Sequence, residues 1–362
     1  MARVGNGRWE VTAVAPTSAY ENLRDVPLEV SSDELCAVKP VKLHFSRHIH
    51  FMLYGQRLRQ IVREPWDLIH CWEEPFNAAG MQAAWWAPKK VPFVFYTFQN
   101  IQKRYPPPFS QFEAYTLNRS AGWVAGGELV LETMLNRGYG SKPYQVMPLG
   151  VDVETFSPNA SSRKRIHEDL GWEMDGPPVV GFLGRFVEHK GLRILTNALE
   201  RLRSPWRALF VGGGPMELEL KEWAKRYSDS VRVVTGIKHD EVPAYLNSMD
   251  LLCAPSQTRP NWREQLGRMI IEAFACGTPV LASDSGEIPY VVGDAGRIVH
   301  ETDEVGWGDT IERLIQSPKE LREMSWKGLE RARQVYSWAV VAGNYLKFFE
   351  QILDSSNKAG NN

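Results

Sequence analysis

The sequence has no long hydrophobic run and no targeting signal. Its longest apolar stretches, such as Pro177–Leu183, have only the length of a β-strand, so none could cross a bilayer as a helix. Residues 1–20 mix Arg, Asn, Glu and Pro, and they contain no apolar core of the kind found in signal peptides. These absences predict a cytoplasmic protein.

Cysteine is scarce, and its positions form no metal-binding motif. The four cysteines are Cys36, Cys71, Cys253 and Cys276, without a C-x-x-C pair or a Cys/His arrangement at zinc spacing. We expect them to be buried free thiols. A D-x-D motif, which could hold a divalent ion on a diphosphate, is also absent. The sequence therefore predicts no bound metal.

A charge excess of one sign is lacking as well, since 42 Lys and Arg residues stand against 43 Asp and Glu residues. Such a chain has no overall field that would draw it to nucleic acid, and any basic surface must be local. One stretch combines basic and aromatic residues: Lys39, Lys42, His44, Arg47, His48, His50, Phe51–Tyr54, Arg57, Arg59 and Arg63. Two interpretations stay open, an interfacial segment that holds the protein on the inner face of a membrane and an ordinary amphipathic helix with a solvated basic face.

Both halves of the 362-residue chain do contain short apolar strands that alternate with helical patterns. This alternation predicts an α/β fold with parallel sheets covered on both faces. The predicted strands are Trp9–Ala15, Leu68–Cys71, Val91–Thr97, Gly122–Ala125, Tyr144–Met147, Val179–Leu183, Ala208–Val211, Val231–Val234, Leu251–Ala254 and Pro279–Ala282. The predicted helices include Phe51–Arg63, Asn77–Ala87, Phe109–Asn118, Glu128–Asn136, Lys190–Leu202, Met216–Tyr227, Val242–Met249 and Gln265–Cys276.

The length suits two cores rather than one. Ser, Pro and Asn cluster at Phe156–Ser162, so we place a domain boundary there. The expected fold has two doubly wound Rossmann-like domains, residues 1–156 and 157–338, with an interdomain cleft beyond the carboxyl ends of the strands. A helix at about 339–353 is expected to pack back on the first domain, and Ser355–Asn362 to form a disordered tail.

The run from Gly184-Arg185 to Lys190-Gly191 follows a predicted strand and begins a helix. Glycine allows close approach to the backbone, and a helix N-terminus presents free N–H groups. Arg185 and Lys190 add two cations, one able to grip phosphate as a fork and the other acting as a point charge. This pattern predicts an anion site sized for a diphosphate. A strand–turn–helix with solvated charges is the alternative.

Two further loops have compositions that suit a ligand site. Gly212–Pro215 follows the next strand, and its glycines suit a backbone that touches a ligand or a neighbouring loop. A tight turn would explain the same residues. Ser283–Pro289 follows a later strand, and its small polar residues suit the floor beneath a ligand.

Two carboxylates eight residues apart, Glu264 and Glu272, give the most specific signal. Glu272 lies within the apolar run Met269–Phe274, where a buried carboxylate is costly unless something bonds to it. Ribose hydroxyls would do so, whereas a side chain that reaches solvent is the alternative. If Glu264 lies in the loop before the helix, it can reach the sugar end of a ligand whose middle contacts Glu272.

Together these residues resemble the retaining glycosyltransferase family 4, and the resemblance is most specific over residues 148–296. Its recurring segments stand here as Pro148–Asp152, Phe156–Pro158, Gly184-Arg185, Lys190-Gly191, Gly212–Pro215, Pro255-Ser256, Glu264, Glu272, Cys276–Val280 and Gly286–Pro289.

The resemblance implies a GT-B fold and a metal-independent, retaining transfer of a sugar from a UDP- or GDP-sugar to a saccharide or lipid-linked acceptor. Polysaccharide, lipopolysaccharide or glycolipid synthesis is the expected context. The implied catalytic residues are Glu264, Arg185 and Lys190, with Glu264 at the transferred sugar and both cations at the diphosphate. The implied donor site also includes Gly184, Ile237 at the base, Leu266, Gly267 and Arg268 at the phosphates, and Glu272 at the ribose. The acceptor-side residues are His70, Trp72, Glu73 and Gln99.

The sequence departs from the family pattern in its first half. Trp72 stands where many relatives have the second His of an H-x-H-E run, and Thr97–Asn100 replaces another frequent His. Both changes leave the acceptor chemistry open. The usual first strand and its glycine-rich loop are also missing, and we expect the recorded start to lie inside a longer product. The chain as given should then bind nucleotide but transfer sugar poorly.

Two other functions are considered. A catalytically silent GT-B subunit that binds a nucleotide sugar would suit the missing first strand, although the intact donor motifs oppose it. A GT-B sugar-nucleotide epimerase is a second alternative, and the Glu264/Glu272 spacing and the Arg185/Lys190 pattern oppose it. No nucleic-acid partner is expected.

Overall fold

The structure, a computed structural model, describes residues 1–21, 24–31 and 34–360. It divides into two compact units, one formed by Met1–Pro148 together with Val341–Asn362 and the other by Leu149–Val340. Each unit has its own parallel sheet and its own hydrophobic core.

Before residue 148, the described residues of the first unit form ten short strands and five helices. The strands are β1 (Thr12–Pro16), β2 (Ser18–Glu21), β3 (Arg24–Pro27), β4 (Ala37–Val41), β5 (Leu43–His44), β6 (Leu53–Tyr54), β7 (Ile69–Cys71), β8 (Phe93–Thr97), β9 (Gly122–Ala125) and β10 (Tyr144–Val146). The helices are α1 (Ala2–Gly5), α2 (Gln56–Ile61), α3 (Ala78–Trp86), α4 (Phe109–Arg119) and α5 (Glu128–Asn136), with a 3-10 turn at Tyr139–Ser141.

The main sheet of this unit has the order β10-β9-β8-β7, and all of its strands are parallel. Every residue of β8 and β9 is buried, as expected for parallel strands with both faces covered. Alternate residues therefore enter two cores. Phe93, Phe95 and Trp123 lie in one core, and Val94 and Tyr96 lie in the other.

Two predictions for the first unit need correction. The strand predicted at Trp9–Ala15 begins at Thr12 and pairs, among the described residues, only with β4 in a separate two-stranded sheet. The helix predicted at Phe51–Arg63 is confined to α2. Its predicted first turn instead forms strand β6, which pairs with β5, and the helix starts after Gly55, whose backbone is extended.

The second unit contains six strands and most of the helices. The strands are β11 (Val179–Arg185), β12 (Arg207–Gly213), β13 (Val231–Thr235), β14 (Leu251–Ala254), β15 (Val280–Ser283) and β16 (Arg297–Val299). The helices are α6 (Ala160–Asp169), α7 (Leu192–Glu200), α8 (Glu217–Lys225), α9 (Val242–Asn247), α10 (Arg268–Ala275), α11 (Ile288–Val292), α12 (Glu304–Ile315) and α13 (Pro318–Arg331), and α14 (Trp338–Gly360) begins here. Short 3-10 turns lie at Glu188–Lys190 and His239–Glu241, and a π-helix lies at Ala332–Tyr336.

The six strands of this unit are parallel in the order β13-β12-β11-β14-β15-β16. The order reverses between β11 and β14, and ligands of doubly wound sheets bind at such a switch point, beyond the carboxyl ends of the strands. Successive residues of β11 face opposite cores, with Leu183 in one and Phe182 in the other. The predicted parallel sheet of the second half is thus confirmed.

The division between the units falls between Pro148 and Leu149 rather than at residue 156. Val151 and Phe156 are buried in the core of the second unit, and the Val151 N–H donates to the carbonyl of Tyr336 at 2.7 Å. The polar cluster at Phe156–Ser162 marks instead the start of α6, where the Asn159 side chain accepts from the Ser162 N–H.

The last helix, α14, joins the first unit from Val341 onward. Tyr345, Phe348 and Phe349 are buried in the core formed with Val94 and Tyr96. The helix continues to Gly360, past the start of the predicted disordered tail, whose last two residues lie outside the described residues. Residues 355–359 contain no Pro or Gly that would break the helix before Gly360.

Candidate functional site

Two loops meet at the switch point of the second unit. One follows β11 and leads into α7, and the other follows β14 and leads into α10. Because β11 pairs with β14, these loops are neighbours, and they bring the ammonium of Lys190 into an ion pair with the carboxylate of Glu264. The Ser256 hydroxyl donates to the same carboxylate oxygen at 2.9 Å. Both charged side chains are largely buried, so the pair forms a fixed centre.

Glycines at two positions allow this close packing. Gly191 has φ of 72°, and a Cβ there would lie 1.8 Å from the carbonyl oxygen of Pro255. Gly286 has φ of 56°, and a Cβ there would lie 2.2 Å from the carbonyl oxygen of Glu264. The Glu287 N–H also donates to that carbonyl at 3.0 Å. The loop after β15 therefore supports the backbone of Glu264.

Arg185 lies at the carboxyl end of β11, next to Gly184, and its side chain is exposed. No described carboxylate lies within ion-pair distance of it. The run Gly212–Pro215 packs against this region. A Cβ on Gly212 would lie 1.8 Å from the carbonyl oxygen of Gly184, so these glycines serve contact with a neighbouring loop.

Glu264 lies in the loop before α10, whereas Glu272 lies within that helix. Glu272 is 5% exposed, and burial raises its pKa to about 7, against the opposing effect of the Arg268 guanidinium. Arg268 Nε lies 2.8 Å from Glu272 Oε1 in an ion pair within α10, and this buried oxygen has no hydrogen-bond partner of good geometry among the described residues. A buried carboxylate oxygen of this kind could accept a hydrogen bond from a ligand hydroxyl.

The start of α10 carries the remaining residues of the predicted donor site. Leu266 is buried in the core, and Gly267, with φ of 73°, precedes the helix at Arg268. Arg268 Nη2 lies 3.0 Å from Nε2 of His239, whose pKa is lowered by burial and then by Arg268. Ile237 follows β13 and packs partly buried on the same core.

In the first unit, His70 and Trp72 lie together at the carboxyl end of β7. Trp72 Nε1 donates to His70 Nδ1 at 3.0 Å, which leaves the ring proton of a neutral imidazole on Nε2. Burial lowers the pKa of His70 to about 3, and Nε2 has no described hydrogen-bond partner. Trp72 stacks on Tyr96 with ring centroids 4.6 Å apart, yet it stays 46% exposed. An exposed indole at a strand end can stack against a sugar ring.

Glu73 and Gln99 do not join that pair. Glu73 accepts from the Tyr54 hydroxyl at 2.7 Å, and buried Gln99 accepts from Arg137 at 2.6 Å. Gln99 also lies between two carboxyl groups, those of Glu74 and Glu113. Burial raises the pKa of both.

That network and one further aromatic residue were not identified from the sequence. Glu74, Glu113 and Arg137 carry no spacing signal, because the topology of the sheet brings them together. Trp262 is one of 13 tryptophans in the chain and belongs to no motif named above. Its position two residues before Glu264 is the sequence signal that could have indicated a place in the site.

Three cysteines, Cys71, Cys253 and Cys276, are buried free thiols as predicted, and Cys36 is partly buried. Within residues 1–21, 24–31 and 34–360, no three His, Cys, Asp or Glu side chains are grouped so that they could hold a metal ion. Every helix in the described part of the chain is too short or too polar to cross a bilayer.

Comparison with known proteins agrees with this fold. The family model described as Glycosyltransferase Family 4 matches residues 4–155, and the one described as Glycosyl transferases group 1 matches residues 162–331. In structure, the chain resembles sucrose-phosphate synthase from Thermosynechococcus elongatus, with a TM-score of 0.69, 19% identity and coverage of 98% of this chain and 91% of that one. Anabaena Alr3699/HepE in complex with UDP gives a TM-score of 0.68 at 19% identity, covering 90% and 87%.

Curated relatives are more similar in sequence but match shorter stretches. A GDP-mannose-dependent alpha-(1-6)-phosphatidylinositol monomannoside mannosyltransferase from Mycolicibacterium smegmatis is 35% identical over 201 residues, which cover 53% of this chain and 52% of that protein. An MMP alpha-(1->4)-mannosyltransferase from Mycolicibacterium hassiacum is 27% identical over 312 residues, covering 83% and 69%. The chain thus spans about half the length of the first of these relatives.

The two Rossmann-like units and the switch-point loops define a protein of the GT-B class. Within that class, the chain belongs to glycosyltransferase family 4.

Proposed function

We propose that the protein is a retaining glycosyltransferase that uses a nucleotide-sugar donor bound at the switch point of the second unit. The buried ion pair of Lys190 with Glu264, whose carboxylate also accepts from Ser256, carries this proposal together with the exposed Arg185 at the end of β11. In the reaction, the bond between the anomeric carbon and the diphosphate breaks and a bond to an acceptor hydroxyl forms. The departing diphosphate gains negative charge, which preorganised cations stabilise.

The resemblance to the family supplies the other proposed donor contacts. Glu272 Oε1 would accept from a ribose hydroxyl, Glu264 would contact the transferred sugar, and Ile237 would border the base. The N–H groups at the start of α10 would face the phosphates. A GDP-mannose donor is named for the Mycolicibacterium relative and UDP for the Anabaena structure, so both nucleotides are included in the tests.

We propose that no metal takes part, because Arg185, Lys190 and the start of α10 can supply the positive charge that a divalent ion would otherwise bring. Transfer should be unchanged by EDTA. Activity that EDTA abolishes and Mg²⁺ or Mn²⁺ restores would contradict this part of the proposal.

The acceptor side is proposed to lie in the first unit, with a lipid-linked acceptor at a membrane surface. The segment 45–51 exposes Phe45, Ile49 and Phe51, which are 65%, 64% and 54% exposed, with Arg47 and His48 among them. Apolar and basic side chains in one exposed stretch suit an anionic lipid surface. The relative from Mycolicibacterium smegmatis is named for a phosphatidylinositol mannoside acceptor. Trp72 is the proposed contact for a sugar ring of the acceptor.

A donor screen tests the proposed function. UDP-, GDP- and ADP-sugars are each assayed for a rise in melting temperature and for release of nucleoside diphosphate with and without glycolipid acceptors. We expect one donor class to raise the melting temperature and to release nucleotide only when an acceptor is present. Binding without any release would favour the silent subunit, and neither binding nor release would reject the proposal.

A further inference from the structure

The loop between β14 and α10 contains a tight turn that fixes one aromatic side chain. The Arg259 N–H donates to the Trp262 carbonyl at 2.8 Å, and the Trp262 N–H donates back to the Arg259 carbonyl at 3.1 Å. The loop is also tied down before the turn, where the Gln257 N–H donates to the His189 carbonyl at 2.8 Å. The backbone of Trp262 is therefore held against the loop that carries Lys190.

The indole of Trp262 packs on the cation of the proposed donor site. Lys190 Nζ lies 5.2 Å from the ring centroid, within the range of a cation–π interaction. The same ammonium contacts the Glu264 carboxylate. The long side chain of Lys190 is thus held between an indole and a carboxylate.

His189 completes this packing. Its ring centroid lies 4.1 Å from that of Trp262 at an interplanar angle of 44°, and its Nε2 is buried without a described hydrogen-bond partner. The charged groups around the ring are mostly cations, Lys190, Arg185 and Arg259, with Glu264 opposing them. A neutral imidazole in this place adds bulk behind the indole and no charge that would compete with Lys190.

We propose that Trp262 is a positioning residue for the donor diphosphate, because its indole holds the Lys190 ammonium in place when an anionic ligand competes with Glu264. An ammonium on a flexible four-carbon chain loses many rotamers when it binds a ligand. The indole restricts those rotamers beforehand, so binding and transfer lose less free energy. This inference rests on the proposed donor site.

Three variants test the proposal, with activity and nucleotide binding measured on each. Trp262→Leu removes the π face, Trp262→Phe keeps an aromatic ring, and Trp326→Leu changes a tryptophan that is 62% exposed on α13 as a control. A cation–π contact of this kind predicts a roughly 5- to 30-fold loss of kcat/KM in Trp262→Leu. Trp262→Phe should keep most of the activity, and the control should keep all of it.

A double-mutant cycle separates positioning of Lys190 from a merely structural role. Calorimetry gives the affinity for UDP and GDP in Trp262→Leu, Lys190→Ala and the double variant. If Trp262 acts through Lys190, the double variant binds no more weakly than Lys190→Ala alone. Independent, additive losses would overturn the proposal, as would wild-type kcat/KM in Trp262→Leu.

Tryptophan fluorescence gives a readout that does not depend on transfer. Nucleoside diphosphate that reaches Lys190 should change the emission of the wild-type protein, and Trp262→Phe should lose that change while calorimetry still detects binding. The same fluorescence change in Trp262→Phe would overturn the proposal. Failure of the proposed function would look different, because the wild-type protein would then bind no nucleotide at all.

Discussion

At the scale of single residues, the two cations of the donor site differ in their surroundings. Lys190 is buried against Glu264, whereas Arg185 is exposed and has no carboxylate partner among the described residues. Removal of Lys190 would leave a buried carboxylate without its cation and would cost stability as well as activity. Arg185 is therefore the residue whose loss reports most directly on the chemistry.

We predict that Arg185→Ala keeps its melting temperature and loses about 100- to 1,000-fold in kcat, since one preorganised charge in such a site contributes ~3–4 kcal/mol. Lys190→Ala should lose at least as much activity and should also have a lower melting temperature. Steady-state kinetics and thermal unfolding check both variants, with Lys221→Ala on the exposed face of α8 as the matched cation control. Wild-type turnover in both site variants would refute the assignment.

Glu272 leads to a pH prediction. Its pKa is raised to about 7, so the carboxylate that would accept ribose hydroxyls forms only as the pH rises through neutrality. Because the ionised form binds the hydroxyls, affinity for an intact sugar nucleotide should increase about 10-fold between pH 6 and pH 8. The diphosphate diester of such a donor does not titrate in this range.

Glu272→Gln should bind more weakly at pH 8 and should lose the pH dependence. Calorimetric titrations of both proteins at pH 6, 7 and 8 measure the effect. The free energy of unfolding gives a second check. Its Glu272 contribution decreases with rising pH, whereas the binding affinity increases. The folded protein holds the Glu272 proton more tightly than the unfolded chain, so the stabilising contribution of the proton is lost as pH rises from about 4.5 through 7. A pH dependence of binding that survives in Glu272→Gln would contradict the ribose role.

At the scale of elements, the sequence predicted best where a strand is buried on both faces. The strands Gly122–Ala125 and Leu251–Ala254 occur with the predicted bounds, because short apolar runs between turn residues leave little choice of where a strand begins and ends. The helix Glu128–Asn136 also keeps its predicted bounds. The hairpin of β2 and β3 was missed. Its residues are largely polar and only weakly alternating, so periodicity could not show it.

The basic and aromatic stretch shows why pattern alone does not fix an element. Helical periodicity over Phe51–Arg63 is real, but the structure places residues 45–51 in a turn region with Phe45 at φ of 59°. The exposed apolar side chains therefore come from a loop and not from one face of a helix. This does not alter the proposed membrane contact, since the apolar area and the neighbouring cations remain exposed.

We predict that the protein binds anionic vesicles of phosphatidylglycerol and phosphatidylcholine at low salt. Changing Phe45, Ile49 and Phe51 together to Ser should abolish most of that binding, because the apolar contact area is lost. Co-sedimentation measures it, with Leu218, Val305 and Trp326 of the second unit changed together to Ser as the exposed apolar control. No binding by the wild-type protein, or equal losses in both triple variants, would exclude this surface.

At the scale of the whole molecule, two things could be predicted and one could not. The alternation of strands and helices predicted two Rossmann-like domains, because local periodicity and short loops determine them. The apolar run around Glu272 predicted the helix that contains it, and Glu264 lies in the loop before that helix. The side-chain partners could not be predicted in the same way. Lys190 meets Trp262, and Gln99 meets Arg137, through strand order, which no local pattern records.

The division of the chain also makes a prediction about α14. The buried residues of both cores of the second unit lie between Val151 and Tyr336, so these cores include no residue after Val340. The first unit, in contrast, has one core face formed with Tyr345, Phe348, Phe349 and Ile352 of α14. Burial of each such side chain contributes ~1.5–3 kcal/mol.

Truncation after Val340 should therefore unfold or greatly destabilise the first unit and leave the second unit folded. We expect the truncated protein to bind nucleotide with nearly wild-type affinity and to show no sugar transfer, because the proposed acceptor side is lost. Calorimetry, hydrogen exchange of residues 149–340 and the transfer assay measure these effects. The milder substitution Phe349→Ala should lower the stability of the first unit alone. Trp307→Ala removes a side chain from a core of the second unit, so it should destabilise that unit and lower nucleotide binding at high temperature. Equal loss of exchange protection in both units after truncation would show that the two units do not fold independently.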